Sequence, residues 1–160
     1  MDVNRDNFTI LMADDDDEEA FLFKEGLEEC NFNCDLRRVP DGKELMDYLL
    51  GRDKYADPKK DHRLLFILLD LNMPGIHGIN VLIEIKSMPE LMHIPVIVYT
   101  SSRDEEDVRQ CYASGAAGYI IKPEGWEQLI NMIKILFSYW ARIVRLPEGE
   151  LIPLPITSEA

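Results

Sequence analysis

The chain lacks the features that would place it in a membrane or on a nucleic acid. No stretch approaches the roughly 18 apolar residues that suggest a membrane-spanning helix. The opening residues, MDVNRDNF, lack the basic and apolar regions of a signal peptide. The chain has 17 basic residues against 30 acidic ones, a formal net charge of −13, so its field repels phosphate backbones and anionic lipids. The composition predicts a soluble, cytoplasmic protein that binds neither nucleic acid nor membrane.

Cysteine and histidine are also scarce, with three of each. An odd number of cysteines fits reduced thiols in a cytosol better than a disulfide framework. Cys30 and Cys34 lie four residues apart, but no second pair of cysteines or histidines completes a zinc site. We therefore expect ordinary thiols and surface imidazoles, and we assign no role to His77.

Short apolar runs alternate with segments of helical periodicity along the whole chain. Of its 160 residues 46% are hydrophobic, which suits one domain with a substantial core. The runs that predict strands are FTILMA, NCDLRRV, RLLFILLD, IPVIVYTSS and GYIIKP. Five strands alternating with five helices indicate an α/β fold, in which right-handed crossovers give a parallel sheet covered on both faces.

Local signals mark the ends of several predicted helices. In the acidic run DDDDEE, Asp16 and Asp17 are expected to begin the first helix. Asp41 is predicted to cap the second helix, and Gly115 to follow the fourth. The last helix is predicted to run from Glu124 to about Trp140.

Reactive side chains occur at the C-terminal ends of four predicted strands. They are Asp14 and Asp15, Asp70, Thr100 and Lys122. Each has an ordinary explanation by itself, as a helix cap, a polar strand end or a turn. Because sites in parallel α/β sheets lie outside the carboxyl ends of the strands, we expect these side chains to converge.

Clustered carboxylates repel one another unless a cation lies among them. Mg²⁺ takes oxygen ligands, keeps several waters and is held by one or two carboxylates plus a phosphate. The predicted magnesium ligands are Asp14, Asp15, Asp70 and a backbone carbonyl in the turn after Asp70, for which Asn72 is best placed.

The same residues predict a phosphoryl-transfer site. Asp70 can act as the nucleophile, because Mg²⁺ offsets the repulsion between its carboxylate and the phosphoryl oxygens. Lys122 would supply a fixed positive charge and Thr100 a hydroxyl donor, in a reaction that depends mostly on positioning and charge stabilisation. No general base is needed, since a carboxylate is already deprotonated at neutral pH.

The motif set resembles the receiver domain of two-component response regulators, the CheY-like family. The matching segments are ILMADD, ILLDLNMPG, VIVYTSS and GYIIKP, in the right order at the right strand ends. The likeness spans Phe8 to about Trp140. It implies a (βα)5 flavodoxin-like sheet with strand order 2-1-3-4-5, a receiver domain of residues 1–145 and a C-terminal tail of residues 146–160.

The resemblance also implies how such a domain works. Asp70 would be phosphorylated by a sensor histidine kinase in a Mg²⁺-dependent reaction, and Thr100 and Tyr119 would then move together as switch residues. A cis peptide bond is expected before Pro123. The loop of residues 52–63, MPELMHIPVIVYTSS and YWARIVRLP are similar, more narrowly, to single-domain regulators that partner bacterial phytochrome-type kinases.

Three functions compete at this point. The first is a stand-alone signalling switch that catalyses only its own phosphorylation and dephosphorylation, since roughly twenty residues after the last helix leave no room for an output domain. The second is a phosphatase of the haloacid dehalogenase type, which has a second aspartate two residues after its nucleophile, where this chain has Asn72. The third is a scaffold without chemistry, although all the chemical positions are intact.

The last predicted helix carries more apolar surface than one sheet can cover. The residues expected to face the core are Trp126, Leu129, Ile130, Ile133, Leu136, Phe137 and Trp140. A second stripe of Met132, Ile135 and Tyr139 is expected to remain in water. An exposed apolar stripe marks a partner site, and we predict a homodimer through this helix and the fifth strand. The alternative is that the tail segment LIPLPI covers the stripe.

Overall fold

The computed structural model describes residues 8–56 and 63–147, which contain a five-stranded parallel sheet. Its strands are β1 (Phe8–Ala13), β2 (Cys34–Val39), β3 (Arg63–Leu69), β4 (Val96–Thr100) and β5 (Gly118–Ile121). They lie in the order β2-β1-β3-β4-β5, and each neighbouring pair is parallel. The predicted fold class and strand order are confirmed.

Helices connect the strands and cover both faces of the sheet. They are α1 (Asp17–Glu29), α2 (Gly42–Leu50), α3 (Gly78–Ser87), α4 (Glu105–Ala113) and α5 (Trp126–Ser138), with a 3-10 turn at Asp53–Tyr55 and a π-helical turn at Tyr139–Ile143. As predicted, α1 begins at Asp16 and Asp17, and Asp41 caps α2; the side chains of Asp16 and Asp41 both accept hydrogen bonds from backbone N–H groups of the first turn. Gly115 follows α4 with a φ of 100°, in the left-handed region that favours glycine.

The sheet separates two hydrophobic clusters. One contains buried residues of α2, α3 and α4, including Leu45 and Val81, and the other contains buried residues of α1 and α5, including Phe23 and Ile133. The residues of β3 from Leu64 onward contribute to both clusters and are almost fully buried. Burial on two faces explains why this strand is a continuous apolar run rather than an alternating one.

Helix α5 differs in part from its predicted pattern. Trp126, expected in the core, is its first residue and is exposed, whereas Met132, expected in water, packs against the cluster beneath α1 and α5. The two remaining residues of the predicted outer stripe are exposed, Ile135 to 72% and Tyr139 to 49%. The exposed apolar surface therefore exists, but it is displaced toward the C-terminal end of the helix.

The chain stays attached to the core beyond α5. Trp140 lies against Phe66, with 6.1 Å between ring centroids, and Leu146 packs against the same cluster. The domain boundary after residue 145 remains a prediction, and the tail segment LIPLPI lies outside the described residues. None of the helices in residues 8–56 and 63–147 is both long and apolar enough to cross a membrane.

Candidate functional site

The two central strands place Asp14 and Asp70 side by side at the carboxyl edge of the sheet. The Asp14 N–H donates to the carbonyl of Val39, and the Asp70 N–H donates to the carbonyl of Ala13, so the sheet's hydrogen bonding continues into both residues. Asp14 is 1% exposed and Asp70 is 6% exposed. The backbone therefore fixes two almost buried carboxylates next to each other.

Lys122 links these two carboxylates. Its Nζ lies 2.8 Å from Asp14 Oδ2 and 3.1 Å from Asp70 Oδ2. The Lys122 N–H also donates to the carbonyl of Thr100 at 2.8 Å, which holds the backbone of the residue next to β4. Three of the residues predicted at strand ends thus form one charged cluster.

The second oxygen of each carboxylate accepts a backbone hydrogen bond. Asp14 Oδ1 accepts from the Asp16 N–H at 2.9 Å, and Asp70 Oδ1 accepts from the Asn72 N–H at 3.2 Å. These contacts orient both carboxyl groups without occupying all of their lone pairs. Each carboxylate therefore keeps lone pairs for a further partner.

Burial and charge act in opposite directions on this cluster. Burial raises the pKa of the Asp14 carboxyl, while the hydrogen bonds from Lys122 and the Asp16 N–H act to lower it. Burial by itself would lower the pKa of Lys122, but its hydrogen bonds with Asp14 and Asp70 and their negative charges together raise that pKa above its ordinary value. Lys122 is therefore held as a cation between the two acids.

Asp15 completes a group of three carboxylates that could hold a metal ion. It is exposed, and one oxygen of each of Asp14, Asp15 and Asp70 lies within 4.8 Å of the others. A set made only of carboxylate oxygens suits a hard divalent cation such as Mg²⁺ or Mn²⁺. The residues present fit a divalent metal, as predicted, while the Asn72 carbonyl as a fourth protein ligand stays a prediction.

Thr100 and Tyr119 are joined through Ser102. Thr100 is fully buried at the end of β4, and its Oγ1 accepts from the Ser102 N–H at 3.4 Å. The Tyr119 hydroxyl donates to the Ser102 carbonyl at 2.9 Å, and its half-buried ring packs against the cluster beneath α2, α3 and α4. A movement of Thr100 would therefore reach Tyr119 through one residue.

Two residues at the start of α3 shape the turn that follows Asp70. Gly78 is packed so closely that a Cβ there would lie 2.5 Å from the carbonyl oxygen of Asp70, so this position requires glycine. His77 Nδ1 accepts from the Ile79 N–H at 3.2 Å and caps α3. Nothing in the sequence assigns His77 this role, because histidine is not among the usual cap residues.

The Lys122–Pro123 peptide bond is trans, since no cis peptide bond occurs in residues 8–56 or 63–147. The cis bond implied by the resemblance is therefore wrong for this structure.

Tyr99 was not singled out from the sequence, yet its ring lies beside the charged cluster. Lys122 Nζ is 5.8 Å from the centroid of the Tyr99 ring. In the sequence this tyrosine is one apolar residue within a buried strand, and nothing in that pattern distinguishes it from its neighbours. Only the three-dimensional packing reveals the contact.

The chain matches one family model and several characterised proteins over most of its length. Residues 10–134 match the model of the response regulator receiver domain. Response regulator Rcp1 of Synechocystis sp. is 33% identical over 138 residues, which are 86% of this chain and 92% of Rcp1.

Solved structures give the same match in three dimensions. The phosphorylated cyanobacterial phytochrome response regulator RcpA has a TM-score of 0.80 and 34% identity, covering 88% of this chain and 99% of RcpA. The Mn²⁺-bound form of Rcp1 gives a TM-score of 0.77 and 34% identity over 88% of this chain and 99% of that chain. RPA3017, a response regulator in red light signalling of R. palustris, has a TM-score of 0.83 and 29% identity, covering 89% of this chain and 99% of RPA3017.

Proposed function

Because the chain belongs to the response regulator receiver family, we propose that Asp70 accepts a phosphoryl group and that Asp14, Asp15 and Asp70 bind the Mg²⁺ that supports this reaction. The observation that carries the proposal is the Lys122 ammonium, which bridges Asp14 and Asp70 at the carboxyl edge of the sheet. Two acids and a lysine held together at the carboxyl ends of β1, β3 and β5 match what phosphoryl transfer to a carboxylate requires.

Asp70 supplies the nucleophilic oxygen. A bond forms between this oxygen and phosphorus while the donor's bond to phosphorus breaks, and the leaving group departs with the electron pair. The Lys122 ammonium would move with the negative charge from Asp70 Oδ2 to the new phosphoryl oxygens. The Thr100 hydroxyl would donate a hydrogen bond to one of these oxygens. A bound Mg²⁺ would neutralise part of the negative charge that the phosphoryl group brings to the carboxylates.

Receiver domains take their phosphoryl group from a histidine kinase, and the family match implies such a partner. We infer more narrowly that this partner is a phytochrome-type kinase, as supported by the likeness to RcpA, a phytochrome response regulator, and to RPA3017, which acts in red light signalling. We also infer that the chain catalyses only its own phosphorylation and dephosphorylation, with the phosphoryl donor as the substrate it consumes.

Incubation with acetyl phosphate and Mg²⁺ should increase the intact mass by one phosphoryl group. The added mass should disappear with time after the donor is removed, because an acyl phosphate hydrolyses, and EDTA should prevent its appearance. Intact-mass spectrometry follows both steps. A wild-type protein that never gains this mass in the presence of Mg²⁺ would contradict the proposal.

We also propose that Thr100 and Tyr119 act as the switch. A new phosphoryl group recruits the nearest hydroxyl donor, and the Thr100 hydroxyl must then give up the position in which it accepts from the Ser102 N–H. Ser102 carries the carbonyl that holds Tyr119 and donates through its Oγ to Asp107 on α4 at 2.6 Å. A movement of Ser102 would therefore alter the contacts of Tyr119 on β5 and of Asp107 on α4.

Hydrogen exchange should show this response when beryllofluoride and Mg²⁺ stand in for the phosphoryl group. We expect the exchange rates to change around α4, β5 and α5, because those elements contact Ser102 and Tyr119 or lie next to them. The same additions to Asp70→Asn provide the control. A response confined to residues 52–56 would contradict the switch.

A further part of the proposal is a homodimer that uses α5 and β5. Ile135, Tyr139 and Ile143 are four residues apart, and Ile135 and Ile143 are each more than 70% exposed. Ile121, on edge strand β5, is also exposed. An apolar stripe beside an open sheet edge, on an otherwise acidic protein, favours association with a second copy.

Ile135→Glu should yield a folded monomer, because the glutamate places a charge within the apolar stripe. Sedimentation velocity measures the change, and Ile83→Glu, which alters an exposed isoleucine of α3, is the matched control that should remain dimeric. A wild type that sediments as a monomer at high concentration, with and without beryllofluoride, would contradict the homodimer. It would favour the alternative that the tail covers the apolar stripe.

A further inference from the structure

Tyr99 occupies a fixed position at the end of β4. It is 2% exposed and belongs to the cluster beneath α1 and α5. The Phe23 ring of α1 packs edge-on against it, with 5.9 Å between centroids and 74° between planes. A ring held by the sheet and by α1 has little freedom to turn, so its faces keep a constant direction.

The Lys122 ammonium lies over this ring, 5.8 Å from the centroid. A cation within about 6 Å of an aromatic face is attracted by the ring quadrupole, more strongly where water is excluded. The Lys122 side chain is 12% exposed, which makes the attraction effective. The ammonium therefore lies against the carboxylates of Asp14 and Asp70 and against the face of a tightly packed aromatic ring.

Phosphorylation changes Asp70 but not the Tyr99 ring. When Asp70 becomes an acyl phosphate, it loses its carboxylate charge, and the phosphoryl oxygens lie farther from its Cγ. The ammonium must leave its contact with Asp70 Oδ2 and still remain above the site. The Tyr99 ring is held by its packing against Phe23, which does not depend on this change.

We propose that Tyr99 is a positioning residue for phosphorylation of Asp70, whose ring face holds the Lys122 ammonium where it meets the phosphoryl oxygens. This inference rests on the proposed function, since it needs Asp70 to be the acceptor. It differs from ordinary core packing in two respects. The effect must depend on the electrostatics of the ring, and it must disappear when Lys122 is absent.

Ring electrostatics can be varied at nearly constant shape. Tyr99→Phe keeps an unsubstituted ring face, and phenylalanine analogues with one, two and three ring fluorines at position 99 weaken the quadrupole stepwise. The rate of phosphorylation by acetyl phosphate with Mg²⁺ is measured by intact mass, and thermal unfolding of each variant reports on packing. The whole series is repeated in a Lys122→Ala background.

We expect Tyr99→Phe to stay close to the wild-type rate and the fluorinated series to slow stepwise, by about five- to thirty-fold at three fluorines, as a cation–π contribution of about 1–2 kcal/mol implies. Unfolding temperatures should change little across the series. In the Lys122→Ala background the slower residual rate should not depend on fluorination.

The possible failures can be told apart. If Lys122 is present and the protein is phosphorylated at the same rate across the fluorinated series, the role of Tyr99 is overturned. The assignment of Asp70 as the acceptor then stays intact. If fluorination lowers the phosphorylation rate equally with and without Lys122, Tyr99 acts through packing alone. A wild type that takes up no phosphoryl group at all would overturn both proposals.

Discussion

Replacing Asp70 with asparagine should abolish phosphoryl uptake from acetyl phosphate. The amide is neither charged nor nucleophilic, and the attacking oxygen is lost. The fold should be nearly unchanged because the side chains have the same shape and Lys122 keeps its contact with Asp14. Intact mass over time measures the first effect, and thermal unfolding measures the second.

The matched control is Asp47→Asn, which removes another nearly buried carboxylate that lies on α2 and pairs with Lys43. This variant should be phosphorylated as fast as the wild type. Labelling of Asp70→Asn at the wild-type rate would overturn the assignment of the acceptor, and loss of labelling in Asp47→Asn would show that the assay reports on folding instead.

Lys122→Ala should separate metal binding from phosphorylation. The ammonium occupies one oxygen of Asp14 and one of Asp70 and brings a positive charge close to the proposed metal site. Its removal should leave Mg²⁺ affinity unchanged or up to about ten-fold tighter, since two like charges near a protein surface repel by up to a few kcal/mol. Phosphorylation, or the response to it, should weaken at the same time.

Calorimetric titration with Mg²⁺ tests the direction of this effect, and Lys43→Ala, which removes an exposed lysine of α2, is the control for a general change in charge. A sharp fall in Mg²⁺ affinity in Lys122→Ala would mean that the lysine supports the metal site instead of opposing it. The charge arrangement inferred around Asp70 would then be wrong.

Much of this site could be predicted from the sequence because parallel sheets bring strand ends together. The apolar run of β3 could only be buried on two faces, so the aspartate after it had to lie at the sheet edge. Asp41 was predictable as a cap from local sequence alone, since a short acceptor side chain before a helical pattern favours the N-cap position.

The remaining features depend on packing that periodicity does not encode. Trp126 fits the apolar face of α5 by its position on the helical wheel, but it is the first residue of the helix and remains exposed. The hydrogen bond from the Tyr119 hydroxyl to the Ser102 carbonyl is likewise absent from any sequence pattern. Tyr99 lies beside Lys122 because β4 pairs with β5 in the sheet, which no local pattern reveals.

Chemical trapping of the phosphorylated residue tests the assignment of Asp70 most directly. Borohydride reduces an acyl phosphate of aspartate to homoserine, so the protein incubated with acetyl phosphate and Mg²⁺ is reduced, digested and sequenced by mass spectrometry. We predict homoserine at position 70, none when Mg²⁺ is withheld, and none at positions 14 or 15. Homoserine at another aspartate, or a protein that gains the phosphoryl mass without conversion at position 70, would contradict the account.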